Sequence, residues 1–281
     1  MLIKSKIIND AILYVKELIP ENCGGNIDKN IKTLKIYLYE NKEGCTGEYS
    51  QIGNYINLSL KGMSNESYSN NYDYFNYLNY SIRYLLLNVA STKFDKENNI
   101  VYSGFSTINF NNEMGDDLHT GLDRGFMSLL LKSDATENIK FSKIYYSIAG
   151  MLTEIVGIDI MKDAFFNNKG ITPMIDKLSW LGINKDESKK LFKDINKLKD
   201  AFSGKYINEK LPVIQRTLVS FFSNKVEKSE SKDVLIKEKN SFIYFLDDNI
   251  KTGNFLIHDL YEDTSTYDSE TKAIKELART M

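Results

Sequence analysis

Apolar positions recur at helical spacing over most of this chain and alternate over one short stretch near its start. Ile3, Ile7, Ile8, Ala11, Ile12, Val15, Leu18 and Ile19 fall on one stripe that Pro20 stops, which predicts an amphipathic helix docked on a core. Its polar face mixes Lys4, Lys6, Asp10, Lys16 and Glu17, so it reads neither as a membrane-surface anchor nor as the apolar core of a signal peptide. Residues 33–39 alternate with period two, as a half-buried strand does. A Gly-rich turn at Gly44 and Gly47 leads to Glu48-Tyr49-Ser50 and to a second alternating run at 55–60, predicting a small sheet edge.

From Tyr74 to Ser91 the pattern is helical and becomes apolar on all faces, which predicts a buried central helix. An excursion over 92–112 carries a hairpin signal at Ile100-Val101-Tyr102 and Phe105, after which Asp116 or Asp117 can cap a helix reaching Lys132. Further helical stripes run from Phe141 to Val156, closed by Gly157, from Leu191 to Phe202, and from Leu211 to Phe222. Thr172 followed by Pro173 marks another helix start. Residues 225–240 are charged and predict a linker or an exposed helix, and the apolar runs 242–246 and 255–257 beyond them predict a hairpin. The expected fold class is α+β: a mainly helical domain over 1–224 with a small N-terminal sheet, then a charged linker and C-terminal segment over 225–281.

A hydrophobic share of 42% with 26% charged residues is that of a chain able to bury a core, and no internal repeat is apparent. Thirty-six basic against 38 acidic side chains, with no basic stripe, argue against a nucleic-acid partner. No run approaches about 18 apolar residues, so no membrane span is expected. Cys23 and Cys45 lie in Gly-containing loops; a disulfide between them is open, and free thiols in a reducing cytoplasm are the expectation.

Three segments bear on chemistry. Tyr84-Leu85-Leu86-Leu87-Asn88-Val89-Ala90-Ser91 is followed by Ser103-Gly104-Phe105. Then comes Gly121-Leu122-Asp123-Arg124-Gly125-Phe126-Met127-Ser128-Leu129-Leu130. In this order, behind the Gly47-Glu48-Tyr49 turn and the 55–60 strand, they resemble a zincin-like metallopeptidase family of low-GC Gram-positive bacteria over residues 30–180. That family's pattern runs H-E-L-x-H-x-A-S, then S-G-F, then G-L-N-E-G-x-T-E-x-L. Two His four apart on a helix grip zinc, the Glu after the first is general base, and a later Glu is the third ligand.

Carried over residue by residue, the resemblance puts Tyr84 and Asn88 at the His positions, Leu85 at the base and Arg124 at the third ligand. None can do the family's chemistry: a guanidinium stays protonated and cannot ligate zinc, and Leu has no proton to exchange. The implied protein is a catalytically inactive bacterial pseudoenzyme with no cofactor, binding a peptide or protein partner through the remnant cleft of Tyr84, Leu85, Asn88 and Arg124. There Arg124 would hold a carboxylate. Packing alone offers another account, with Leu85, Leu86 and Leu87 as core and Gly121 and Gly125 as points of close helix approach.

Two alternatives stand beside it. One is an active metal-dependent hydrolase around His119, with Asp123 four residues on and Asp116 and Glu113 nearby. The bland form of that cluster is acidic residues at a helix N-terminus beside a solvated His. The other is a structural or interaction protein without cleft function. His258, beside Asp259, Glu262 and Asp263, reads as surface, a Cys–His or Ser–His pair is left open, and Gly24-Gly25 is turn chemistry.

Overall fold

The computed structural model describes residues 2–23, 25–39, 47–59, 71–110, 118–132, 140–198, 205–229, 232–260 and 264–281. The architecture is mainly helical α+β, with two three-stranded sheets. The chain divides into two units, Met1–Asp117 with Lys162–Gly170, and Leu118–Met161 with Ile171–Met281. No single helix among the described residues is long and apolar enough to cross a membrane.

In the first unit, α1 (Leu2–Leu18) takes the predicted stripe, burying Ala11 and Val15, and packs on α3 (Asn71–Ala90). The strands β1 (Lys35–Tyr39), β2 (Gly47–Ser50) and β3 (Tyr55–Ser59) form a sheet of order β1-β3-β2. β1 runs parallel to β3, and β2 runs antiparallel to it. The excursion after α3 is a three-stranded antiparallel meander rather than a lone hairpin: β4 (Thr92–Asp95), β5 (Ile100–Ser103) and β6 (Ser106–Asn109). Its turns need left-handed backbone, supplied by Asn99 and Gly104 at φ 54 and 61.

A helix α2 (Gly25–Thr33), which the sequence pattern did not reveal, takes Thr33 out of the expected strand, and Gly25 opens it instead of sitting in a turn. Its polar composition hides a stapling role. Asn30 Nδ2 donates to the Val89 and Thr92 carbonyls at 2.8 and 2.7 Å, satisfying backbone acceptors at and just past the end of α3. Asn54, at φ 46 in the β2–β3 turn, donates to the Asn30 carbonyl and to Thr33 Oγ1, and accepts from the Tyr49 hydroxyl. Asn168, also left-handed, donates to the Ser91 carbonyl at 2.6 Å.

In the second unit, α5 (Lys140–Val156) packs against α4 (Thr120–Leu130), α7 (Thr172–Trp180), α9 (Lys205–Lys228) and α10 (Lys232–Leu260). α8 (Lys185–Lys197) lies on α4, α7 and α9, and α11 (Ser265–Thr280) lies on α9 and α10. Gly157, at φ 97, ends α5 as expected, but α6 (Ile158–Phe166), a second element the pattern did not announce, starts at once.

Residues 225–228 finish α9 and 232–240 open the helix α10, so of the two readings of the charged stretch the helix holds, while the hairpin expected over 242–257 is replaced by the continuation of α10. The β-rich local composition loses to periodicity. Phe242, Phe245, Leu246, Ile250, Leu256 and Ile257 form one buried stripe, with Phe222 stacked on Phe242 at 4.4 Å. Gly253, between the two apolar runs, is a point of close approach: a Cβ there would overlap the Tyr267 hydroxyl and crowd Leu211.

That interface holds a buried polar chain. Asn249, fully buried in α10, donates to the Ile144 carbonyl at 3.0 Å and to Ser147 Oγ at 2.9 Å on α5. Its Oδ1 accepts from Gln215 Nε2 of α9 at 2.8 Å. The buried Tyr267 hydroxyl of α11 lies toward the other side of Gln215 without closing a bond of ordinary geometry, and burial pushes its pKa upward. At the other end of α5, Lys225 donates to the Glu154 carbonyl and pairs with Glu238 at 2.9 Å, while Ser241 donates to the Glu154 carboxylate at 2.7 Å.

Two measurements check this packing. Asn249→Leu, similar in size but unable to bond, leaves the Gln215 amide without its acceptor. It is expected to cost about 2–3 kcal/mol in urea unfolding. Burial raises the Glu154 pKa above its usual 4.5, so the fold holds that proton more tightly than the unfolded chain does. Stability tied to this group therefore falls as pH rises through the carboxylate range. Glu154→Gln should flatten that part of the pH–stability curve and raise the melting temperature at neutral pH.

Candidate functional site

The resemblance points to α3, and the structure shows how its residues are used. Leu78, Ile82, Leu85, Leu86, Val89 and Ala90 are buried, so one face of the helix is core. Leu85 is 5% exposed and reaches so far toward β2 that a Cβ on Gly47 would lie 2.8 Å from its Cδ1. The position assigned to a general base is therefore an apolar plug between helix and sheet. Leu86 and Leu87 are fully buried as well, as the packing account expects.

Tyr84 and Asn88, one helical turn apart, are only partly buried. The Tyr84 ring lies 6.1 Å from that of Tyr80, and Asn88 Nδ2 turns back to the Tyr84 carbonyl at 3.4 Å. The Asn88 carbonyl accepts from the hydroxyls of Ser91 and Thr92, a local closure of the helix end. Beside them runs β2, which among the described residues is hydrogen-bonded on one side only. Its half-buried Tyr49 phenol has its pKa pushed up by desolvation to about 12.

Arg124 belongs to the second unit, on α4, where it is exposed and forms no ion pair with another described residue. Gly121 and Gly125 of the same helix are contact points with α5: a Cβ on Gly121 would overlap the Tyr145 ring, and one on Gly125 the Tyr145 carbonyl. The close-approach account of these glycines is thereby borne out. A zinc ion does not fit the residues at the resemblance positions, since a phenol, a carboxamide, a buried Leu and a guanidinium offer no ligand set for it.

His119 is not the solvated residue expected. It is 3% exposed at the N-terminal boundary of α4, edge-on to the Phe192 ring at 6.2 Å, and makes no side-chain cap. Asp123, 8% exposed, sits in the first turn, where a carboxylate complements the helix dipole. Glu113, Asp116 and Asp117, including the expected Asp cap, lie outside the described residues, as do Gly24, Cys45, Glu262 and Asp263. Among the described residues no group of three or more His, Cys, Asp or Glu could hold a metal ion.

His258 is exposed, as expected, and pairs with Asp268 of α11 at 3.1 Å, which together with Thr264 holds the Asp268 carboxyl below its usual range. Cys23 is buried, accepts from Asn167 Nδ2 at 3.1 Å, and has its thiol pKa pushed up by burial, the opposite of an activated nucleophile. Sequence reasoning missed the outer face of α10, where Asn240, Tyr244, Asp247, Lys251, Phe255 and His258 are exposed. Their spacing of three and four residues was the available signal.

Compared with protein-family models, curated proteins and solved structures, the chain matches none.

The glycine contacts carry a test. Gly125→Ala must displace the α5 backbone and is expected to cost about 1–3 kcal/mol in chemical denaturation. Thr120→Ala, at an exposed position of the same helix, should stay within about 0.5 kcal/mol.

Proposed function

We propose that this chain is a catalytically inactive, metallopeptidase-like protein of the bacterial cytoplasm that binds an extended peptide or a segment of a protein partner. The observation that carries the proposal is Leu85, an apolar side chain closed between α3 and β2 at the position where the resemblance places a general base. A hydrolase built on that helix would need a carboxylate there, and burying one without a partner is costly.

Packing accounts for Leu85, Gly121 and Gly125, whereas Tyr84 and Asn88 are half-buried and Arg124 is exposed. A binding role is assigned to Tyr84 and Asn88 in the first unit and, separately, to Arg124 in the second. β2 supports it, because an edge strand can take a further strand through its backbone groups. Arg124 supplies a planar donor fork suited to a carboxylate of the partner.

Binding is tested by fluorescence anisotropy with labelled extended peptides that differ in carboxylate content. Carboxylate-bearing peptides should bind, and Arg124→Ala should weaken them by about tenfold or more. Asn88→Ala should weaken all peptides alike. Purified protein should carry substoichiometric zinc and manganese by elemental analysis and cleave no member of the set. Stoichiometric metal with cleavage would favour the His119 hydrolase instead. Binding unchanged by both substitutions would remove the α3 and Arg124 assignment.

A further inference from the structure

The outer face of α10 is complementary to itself. Two large aromatic residues are exposed on it, Tyr244 at 65% and Phe255 at 53%, eleven positions and about 16 Å apart along the helix. Between them, on the same face, lie the exposed Asp247 and Lys251. We propose that α10 pairs antiparallel with α10 of a second copy of this chain, about a two-fold axis at the level of Asn249.

The order of the four residues carries this assignment. When the helix is laid antiparallel on itself in that register, Tyr244 of each copy meets Phe255 of the other. In the same register, offset by only about 1.5 Å, Asp247 of each faces Lys251 of the other. A two-fold contact repeats every pair, so two aromatic pairs flank two opposite-charge pairs at the centre. Both aromatic side chains lie to the same side of the Asp247–Lys251 line on the helical wheel, which brings them together across the axis. Shifting the register by one turn sets like charges or unlike sizes against each other.

Asp247 also forms an ion pair with the half-buried Lys275 of α11 at 3.3 Å, but Asp247 itself is exposed, and such a pair is weak enough to be shared. The buried side of α10 holds the helix rigid, so the outer face is presented without ordering cost. One helix face per copy lies at the small end of specific interfaces, about 1,200 Å² in total, so the dimer is expected to be weak and reversible. The proposal does not depend on peptide binding at α3.

The test is a charge exchange read by analytical ultracentrifugation of the full chain, from micromolar to near-millimolar concentration. The wild type should dimerise, more weakly in high salt. Asp247→Lys and Lys251→Asp should each weaken the dimer at least about tenfold, because each sets two like charges face to face. An equimolar mixture of these two variants should regain the dimer, since every contact then pairs opposite signs. Tyr244→Ala, which leaves the charges alone, should also weaken it and serves if a charge variant fails to fold by circular dichroism. A wild type that stays monomeric throughout overturns the proposal and leaves the face to a different protein. Variants that dimerise like the wild type, or a mixture that stays monomeric, also overturn it.

Discussion

A single buried carboxamide fixes where the longest helix can sit. Asn249 is closed off from water and bonded to α5 through Ile144 and Ser147 and to α9 through Gln215. Apolar contacts such as the Phe222–Phe242 stack tolerate small rotations, whereas a buried amide that loses its partners does not. Turning α10 by one residue would leave both the Asn249 and the Gln215 side-chain amides without their partners. The same constraint determines which residues of α10 face outward, so the presentation of Tyr244, Asp247, Lys251 and Phe255 follows from a bond on the opposite side of the helix.

The first unit uses the same device at chain ends. Asn30, Asn54 and Asn168 satisfy carbonyls where α2, α3 and the turns stop, a task that backbone geometry alone leaves undone. An Asn-rich composition is thus put to structural use. Two kinds of residue also stand apart on α3: Leu85, Leu86 and Leu87 are consumed by the core, while Tyr84 and Asn88 stay at its margin. The functional proposal concerns the margin because packing already explains the centre.

Legibility varied with the physical signal. The stripes behind α1, α3, α5, α8 and α9 were readable because each buries a continuous apolar face. The parallel pairing of β1 with β3 was not, since alternation reports burial on one side and carries no direction. α2 escaped because its formation rests on long-range Asn contacts, and the α10 pattern was misread because Phe, Ile and Tyr runs favour strands locally. At the site, the glycines and leucines were correctly readable as packing residues. His119 was misjudged, because its burial against Phe192 depends on a helix far along the chain.

By itself, then, the amino-acid order determined a mainly helical α+β chain and its principal amphipathic elements. These follow from local periodicity. Only the tertiary structure decided that Leu85 is a plug against Gly47, that His119 is enclosed, and that residues 232–260 form one helix with a wet aromatic face. Those outcomes depend on which distant residues come to lie alongside, and burial of a side chain belongs to the packed assembly of elements rather than to any one of them.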